Sequence, residues 1–193
     1  EKLSIDLEVT SISHPIDSSN VNPEVWLELV ELIEKNYDDY HGFVILHGSD
    51  TMAYTSSALS FLLEHNQKPI IFTGSQLPIG KLRTDGKENL ITAIEIAGDY
   101  EGDRPKVPEV AIYFEYALYR ANRTQKISAE NFEAFQSPNY PLLAEAGVHI
   151  KYNRFAINNP EVDAPPLFCR KSVCRDVASI KFFPGMRREV FHA

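Results

Sequence analysis

Residues 41–76 read HGFVILHGSDTMAYTSSALSFLLEHNQKPIIFTGSQ, and their pattern decides the fold. Gly42 to Leu46 is a short apolar run rich in β-branched and aromatic residues, the pattern of a buried strand. It stops at His47. Gly48 can turn where other residues cannot, and Ser49, Asp50 and Thr51 follow it. Thr55, Ala58, Leu59, Leu62 and Leu63 then recur at helical spacing, which marks a core-facing helix. The helix is predicted to end near Asn66, ahead of Pro69. A second buried strand, Ile70 to Thr73, is closed by Gly74-Ser75-Gln76. Strand, polar turn, helix and strand together call for a parallel crossover.

Such a unit sets its polar turn at the carboxyl end of a strand and the amino end of a helix. Open parallel sheets bind ligands there. Free N–H groups and the positive helix end favour an anion at that point. Ser49, Asp50 and Thr51 bring two hydroxyls and a carboxylate to it. The plainer reading is that one of them serves only as an N-cap, the commonest task for such residues before a helix.

The same alternation extends both ways. Leu3 to Ile12 alternates loosely and is predicted as a strand. Ser13-His14-Pro15 breaks it, and Asp17-Ser18-Ser19-Asn20 is a polar loop. Asn22 followed by Pro23 is a helix start, with Trp26, Leu29, Val30 and Ile33 on the buried face. After Gln76, Leu77 to Thr84 is a loop carrying Lys81 and Arg83. Asp85 is expected to cap a helix whose inner face holds Leu90, Ala93, Ile94 and Ala97, ending at Gly98. Asp99 to Pro108 reads as a charged surface loop and Val110 to Phe114 as another strand. Tyr119 to Lys126 is polar and basic, the pattern of a solvated loop. Ser137 to Pro141 is rich in turn residues. Val148 to Ile157 suggests a hairpin around Asn153, and Asn158 to Pro166 a Pro-rich linker. Val177 to Phe183 is expected as a last strand, ended by Pro184-Gly185. The class is α/β, with a mostly parallel sheet flanked by helices.

The formal net charge is -8, spread along the chain without a basic block. That argues against nucleic acid or an anionic membrane as the main partner. No apolar run is long enough to span a bilayer as a helix. Cys169 and Cys174 form a lone C-x4-C with no second ligand pair, which reads as reduced cytosolic thiols, with a local disulfide as the lesser alternative. The sequence opens on Glu1 rather than Met and stops at Ala193 just after a helix start, so it reads as a segment of a longer chain.

Several signatures of chemistry are missing. There is no G-x-x-x-x-G-K-[ST] loop, no G-x-G-x-x-G and no G-x-S-x-G elbow. His41, His47, His65, His149 and His192 are scattered, without metal-ligand spacing. What remains is hydroxyl, carboxylate and amine chemistry. A hydroxyl needs a nearby base to act as, or orient, a nucleophile. Lys126 is a candidate by residue type, since a Lys can serve when burial or a neighbouring charge lowers its pKa.

At this point a resemblance adds to the reading. The runs His47 to Thr55 and Phe72 to Pro78 resemble the type I, cytosolic bacterial L-asparaginases of the asparaginase/glutaminase family. Asp85-Gly86, Asn89-Leu90, Leu118-Tyr119-Arg120, Asn122-Arg123-Thr124 with Lys126, and Phe135 to Tyr140 extend the match over most of the chain. The resemblance implies hydrolysis of the side-chain amide of asparagine to aspartate and ammonia, without metal or cofactor. It implies a group made of Ser49, Asp50 and Lys126, with Ser standing where the family more often has Thr. Asp17, Ser18 and Ser19, with Ser49 and Asp50, fall on the substrate-binding positions. The family's Thr-Gly-Gly-Thr turn, whose Thr is taken as nucleophile, has no counterpart here.

The sequence therefore reads as starting after that first strand and turn. It also reads as stopping within a further domain, with residues 1–157 an amino-terminal domain, 158–175 a linker and 176–193 the start of a carboxyl-terminal domain. A cytoplasmic homodimer or homotetramer acting on a small-molecule substrate is implied, with no nucleic acid or membrane partner. The alternatives are a tRNA-dependent amidotransferase subunit of the same superfamily, or a non-catalytic amino-acid-binding or regulatory domain.

Overall fold

The apolar runs around residue 45, 71 and 112 become adjacent strands. A computed structural model describes residues 5–159 and 163–192. The start of the first expected strand, residues 160–162 of the Pro-rich run, and Ala193 lie outside them. We label the strands of the main sheet β1 (Phe43–Leu46), β2 (Ile70–Thr73), β3 (Val110–Phe114), β4 (Ala117–Arg120), β5 (Ala144–Ala146) and β6 (Ile150–Tyr152), and the helices α1 (Pro23–Asn36), α2 (Met52–Leu62) and α3 (Gly86–Ala97). The sheet runs β1-β2-β3-β4-β5-β6 in chain order. β1 pairs parallel with β2 from Phe43↔Ile70 to Leu46↔Thr73, and β2 pairs parallel with β3. The later pairs, β3–β4, β4–β5 and β5–β6, are antiparallel. The sheet is thus mixed, with its parallel part where the crossovers lie.

Period-2 alternation sorts the strand residues between two faces. Ile70, Phe72, Val110, Ile112 and Phe114 pack with α1 and α2. Ile71, Ala111 and Tyr113 pack with Ala93, Ile96 and Ala97 of α3 on the other side. Ile70, Ile71, Phe72 and Ile112 are wholly buried, and each such side chain contributes about 1.5–3 kcal/mol relative to exposure. The placement has a topological consequence. β1, β2 and β3 are parallel and in order, yet α2 and α3 cover opposite faces. Two crossovers stepping the same way over opposite faces have opposite hands, so one is left-handed, against the strong right-handed rule.

The local signals hold for most elements. α1 starts as expected: the Asn22 side chain accepts from Glu24 N at 3.1 Å and Val25 N at 3.3 Å, with Pro23 in the first turn. α3 ends at Gly98, but its buried stripe runs through Asn89, Thr92, Ala93, Ile96 and Ala97. Leu90 and Ile94 lie at its border, because a buried Asn89 is bonded on the inner side.

Other expectations are corrected. Residues 5–12 are not a strand; Leu7 and Val9 are exposed, and alternation without a pairing neighbour makes no ladder. α2 ends at Leu62, four residues before Asn66, because Leu63–Glu64 pairs antiparallel with Phe168–Cys169. The run from Tyr119 is not all loop: Tyr119 and Arg120 end β4, which forms a hairpin with β3. Arg120 there fails to signal solvent because it is paired, at 2.6 and 3.1 Å, with the carboxylate of buried Glu109. The later hairpin turns at residues 147–149 rather than at Asn153, which instead accepts from Ala156 N. Residues 177–183 form no strand; Val177, Ile180, Phe182 and Phe183 are exposed, with no neighbouring strand among the described residues. Pro184-Gly185 is a turn, as expected. Cys169 is buried and Cys174 exposed, and both are free thiols.

Gly74 is needed where β2 leaves the sheet. A Cβ there would sit 2.2 Å from the His47 carbonyl oxygen and 3.0 Å from Met52 Cε. Gly74→Ala is expected to cost about 3 kcal/mol, the upper end for overpacking, since the obstacle is backbone. A urea titration whose midpoint did not move would refute this.

Candidate active site

β1 and β2 are parallel, so their carboxyl ends open at the same edge of the sheet. The turn Ser49-Asp50-Thr51 after β1 therefore faces Gly74-Ser75-Gln76 after β2. Neighbouring loops narrow the space between them. A Cβ on Gly48 would meet Ser18 Oγ at 2.5 Å, so the loop at residues 17–20 packs directly on the turn. Thr51 occupies the N-cap position of α2, yet its side chain makes no cap. Its Oγ1 donates instead to the Ser18 carbonyl at 2.6 Å. Neither Ser49 nor Asp50 caps the helix, so the three polar side chains of the turn are free for other partners.

Two of them meet Lys126. This residue lies in a short ladder, Gln125–Lys126 against Phe135–Gln136, that follows the 3-10 turn Ala121–Arg123. Lys126 Nζ donates to Ser49 Oγ at 2.9 Å and to Asp50 Oδ1 at 2.7 Å, across 77 and 76 positions of sequence. The Lys126 side chain is only 16% exposed, while that of Asp50 is 58% exposed. The ammonium is thus held inside, and the carboxylate reaches outward with room for another cation. The Ser49 hydroxyl also has a second partner: it donates to Gln76 Oε1 at 2.7 Å. Its lone pairs accordingly face the Lys126 ammonium. Gln76 Nε2 in turn donates to the Asn131 carbonyl at 3.0 Å.

Of the residues singled out in the sequence, Ser49, Asp50 and Lys126 come together. Ser18 is buried against Gly48, while Asp17 and Ser19 are exposed and bond one another. Asp17 Oδ1 accepts from Ser19 N at 2.9 Å and from Ser19 Oγ at 2.7 Å, which holds its carboxyl below the usual carboxylate range. His47 sits beside the turn. Its Nδ1 donates to the Gly48 carbonyl at 2.7 Å, burial lowers its pKa, and its buried Nε2 has no hydrogen-bond partner among the described residues. Gln76 was not singled out, although a polar turn after the strand next to β1 is where a crevice forms. Asp85 was read as a cap; its carboxylate instead accepts from Gln76 N and Leu77 N. Among the described residues no group of three His, Cys, Asp or Glu side chains is placed to hold a metal ion, and no helix is long and apolar enough to cross a membrane.

Known proteins share both the sequence and the shape. L-asparaginase 1 of Escherichia coli is 43% identical over 189 residues, covering 96% of this chain and 53% of its own length. An L-asparaginase of Dirofilaria immitis is also 43% identical, over 90% of this chain and 28% of its own length. The crystal structure of L-asparaginase I from Vibrio cholerae superposes with a TM-score of 0.82 at 41% identity, over 91% of this chain and 52% of that one. The chain thus spans about half the length of its bacterial relatives. The family model described as asparaginase, N-terminal, matches residues 4–158. By fold and by sequence, the chain belongs to the asparaginase family.

Proposed function

We propose that these residues form part of an L-asparaginase site, which converts L-asparagine to L-aspartate and ammonia. The observation that carries the reading is the contact of Lys126 Nζ with Ser49 Oγ and Asp50 Oδ1 at the carboxyl edge of the parallel strands. Asparagine offers an α-ammonium, an α-carboxylate and a neutral side-chain amide. The half-exposed Asp50 carboxylate suits the ammonium, with Asp17, next to the Ser18 that packs on Gly48, to assist. The Ser18 hydroxyl and backbone N–H suit the carboxylate, since the N–H groups of Ser19 and Asn20 are taken by Asp17. Two charge-assisted anchors of this kind orient the amide between them. Ser49, backed by Lys126, orients the attacking water or supports the developing oxyanion as the amide carbon becomes tetrahedral.

In this reading residues 1–157 are the amino-terminal domain, 158–175 the linker and 176–193 the beginning of a carboxyl-terminal domain. The antiparallel pair of Phe168–Cys169 with Leu63–Glu64 ties the linker to the strand that follows α2. The assembly is a homodimer or homotetramer, and a neighbouring subunit completes the site. The protein works in the cytoplasm on a free amino acid. The test is release of ammonia and aspartate in equal amounts from L-asparagine by the complete protein. No release under conditions where the protein is folded would refute the reading. Release that requires an aminoacylated tRNA would point instead to an amidotransferase subunit.

A further inference from the structure

We infer that Asp85 is a positioning residue, which sets the Ser49 hydroxyl through Gln76. The inference rests on the proposed function above and starts from an oddity of α3. Asp85 occupies the N-cap position of that helix, yet its side chain makes no cap. Thr84 does that work: its Oγ1 accepts from Gly86 N at 3.0 Å and donates to the Leu77 carbonyl at 2.9 Å.

The Asp85 carboxylate, only 8% exposed, points the other way, into the turn after β2. Gln76 N donates to its oxygens at 2.9 and 3.1 Å and Leu77 N at 3.1 Å. Asn89 Nδ2 donates to Oδ2 at 3.2 Å. Among the described residues it forms no ion pair. A charge is thus kept in the interior on neutral N–H donors alone, an arrangement that costs desolvation and lasts only while every donor stays in place.

Asn89 holds the frame from behind. It is wholly buried. Its Nδ2 also donates to the Gly74 carbonyl at 3.0 Å, and its Oδ1 accepts from Glu115 N at 3.1 Å in the turn between β3 and β4. Both residues of that turn, Glu115 and Tyr116, have positive φ, of 45° and 66°. Gly86 presses on the same frame, since a Cβ there would lie 3.0 Å from Ser75 Cβ. The backbone of Gln76 is therefore pinned from several elements at once.

The pinning matters because of what the Gln76 side chain does. Its Oε1 accepts the Ser49 hydroxyl proton at 2.7 Å. That bond turns the proton away from Lys126 and leaves the oxygen lone pairs on the ammonium. A shift of the Gln76 backbone of about 1 Å is enough to lose such geometry and a large part of the rate with it. Asp85 touches neither the cluster nor a substrate. It acts on Ser49 only through Gln76.

The test is a double-mutant cycle in the complete protein, with Asp85→Asn, Gln76→Met and the pair. Coupling through one path makes the second change silent once the first is made. Gln76→Met is expected to lower kcat on L-asparagine about tenfold or more, and Asp85→Asn about tenfold with KM changed little, on the scale of a misplaced polar group. The double variant should fall no further than Gln76→Met alone, while Asp85→Asn lowers the melting temperature in both backgrounds. Losses in kcat that multiply, or an Asp85→Asn variant that loses only melting temperature, overturn the inference.

A second readout does not depend on activity. In a Ser49→Cys background, the alkylation rate of the introduced thiol should respond to Asp85→Asn when Gln76 is present and not when it is Met. A rate that never responds overturns the inference, and one that responds alike in both backgrounds does too. If the protein releases no ammonia, the proposed function fails and this arm still decides the role of Asp85. Asp85→Glu, which keeps the charge, carries both arms should Asp85→Asn not fold.

Discussion

Replacing Lys126 by Met is expected to cut turnover on L-asparagine about a hundredfold or more, the usual weight of a positioned acid–base group. The fold should survive. Met matches the length and bulk of the Lys stem, and that stem is mostly shielded. The lost ion pair is to a half-exposed Asp50, and such pairs contribute about 0–1 kcal/mol. What disappears is the only ammonium bonded to both Ser49 and Asp50 among the described residues. Without it the hydroxyl keeps its bond to Gln76 but has no cation to steady a developing charge. Comparing kcat and thermal unfolding of the variant and the parent decides the matter. Turnover near that of the parent would leave Lys126 a structural partner of Asp50, without a part in the chemistry.

Ser49 has the second large effect. Ser49→Ala should remove most of the activity, because no hydroxyl is left to orient water. Ser49→Thr should keep activity within about tenfold, since one added methyl shifts binding only modestly. The methyl also restricts χ1, so the retained rate reports whether the allowed rotamer still points the oxygen at Lys126. The structure sharpens the stability side. A Ser that served as a helix cap would cost about 1 kcal/mol on replacement by Ala. Ser49 precedes the cap position, and its hydroxyl bonds Gln76 and Lys126 rather than the amino end of α2. A variant that keeps its rate but melts lower would reverse the assignment, leaving Ser49 a structural residue.

The elements that sequence reasoning found are those whose signal is local. β2 and β3 were legible to the residue, because runs of three to five consecutive apolar residues, flanked by Pro69 and Gly74 in one case and by Glu109 and Glu115 in the other, have few other uses. α1 was legible from its Asn-Pro start. The misreadings share a cause. β4 hid inside a basic run because Arg120 finds Glu109 eleven residues back. The end of α2 moved because a partner about a hundred residues later pulls Leu63–Glu64 into a ladder. Residues 5–12 and 177–183 alternate like strands but have, among the described residues, no strand beside them to complete the hydrogen bonds.

The site divides in the same way. Ser49, Asp50 and Lys126 could be named from residue type and resemblance, and the turn after β1 could be named as a crevice from the strand-turn-helix pattern alone. That Lys126 reaches both of the others is a fact of the tertiary structure, since nothing in 77 intervening positions encodes a distance of 2.9 Å. Gln76 and Asp85 show the limit most clearly. Asp before a helix reads as a cap by every local rule, and only the packing of α3 against the β2 turn sends its carboxylate elsewhere. By itself, then, the sequence determined the class of fold, the strand-edge turn and the chemistry carried to it. The tertiary structure alone decided which face each helix covers, which side chains converge on Ser49 and which way its proton points. The reason is physical: periodicity and capping act between neighbours in the chain, whereas a hydrogen bond between distant segments exists only once the whole sheet has set their separation.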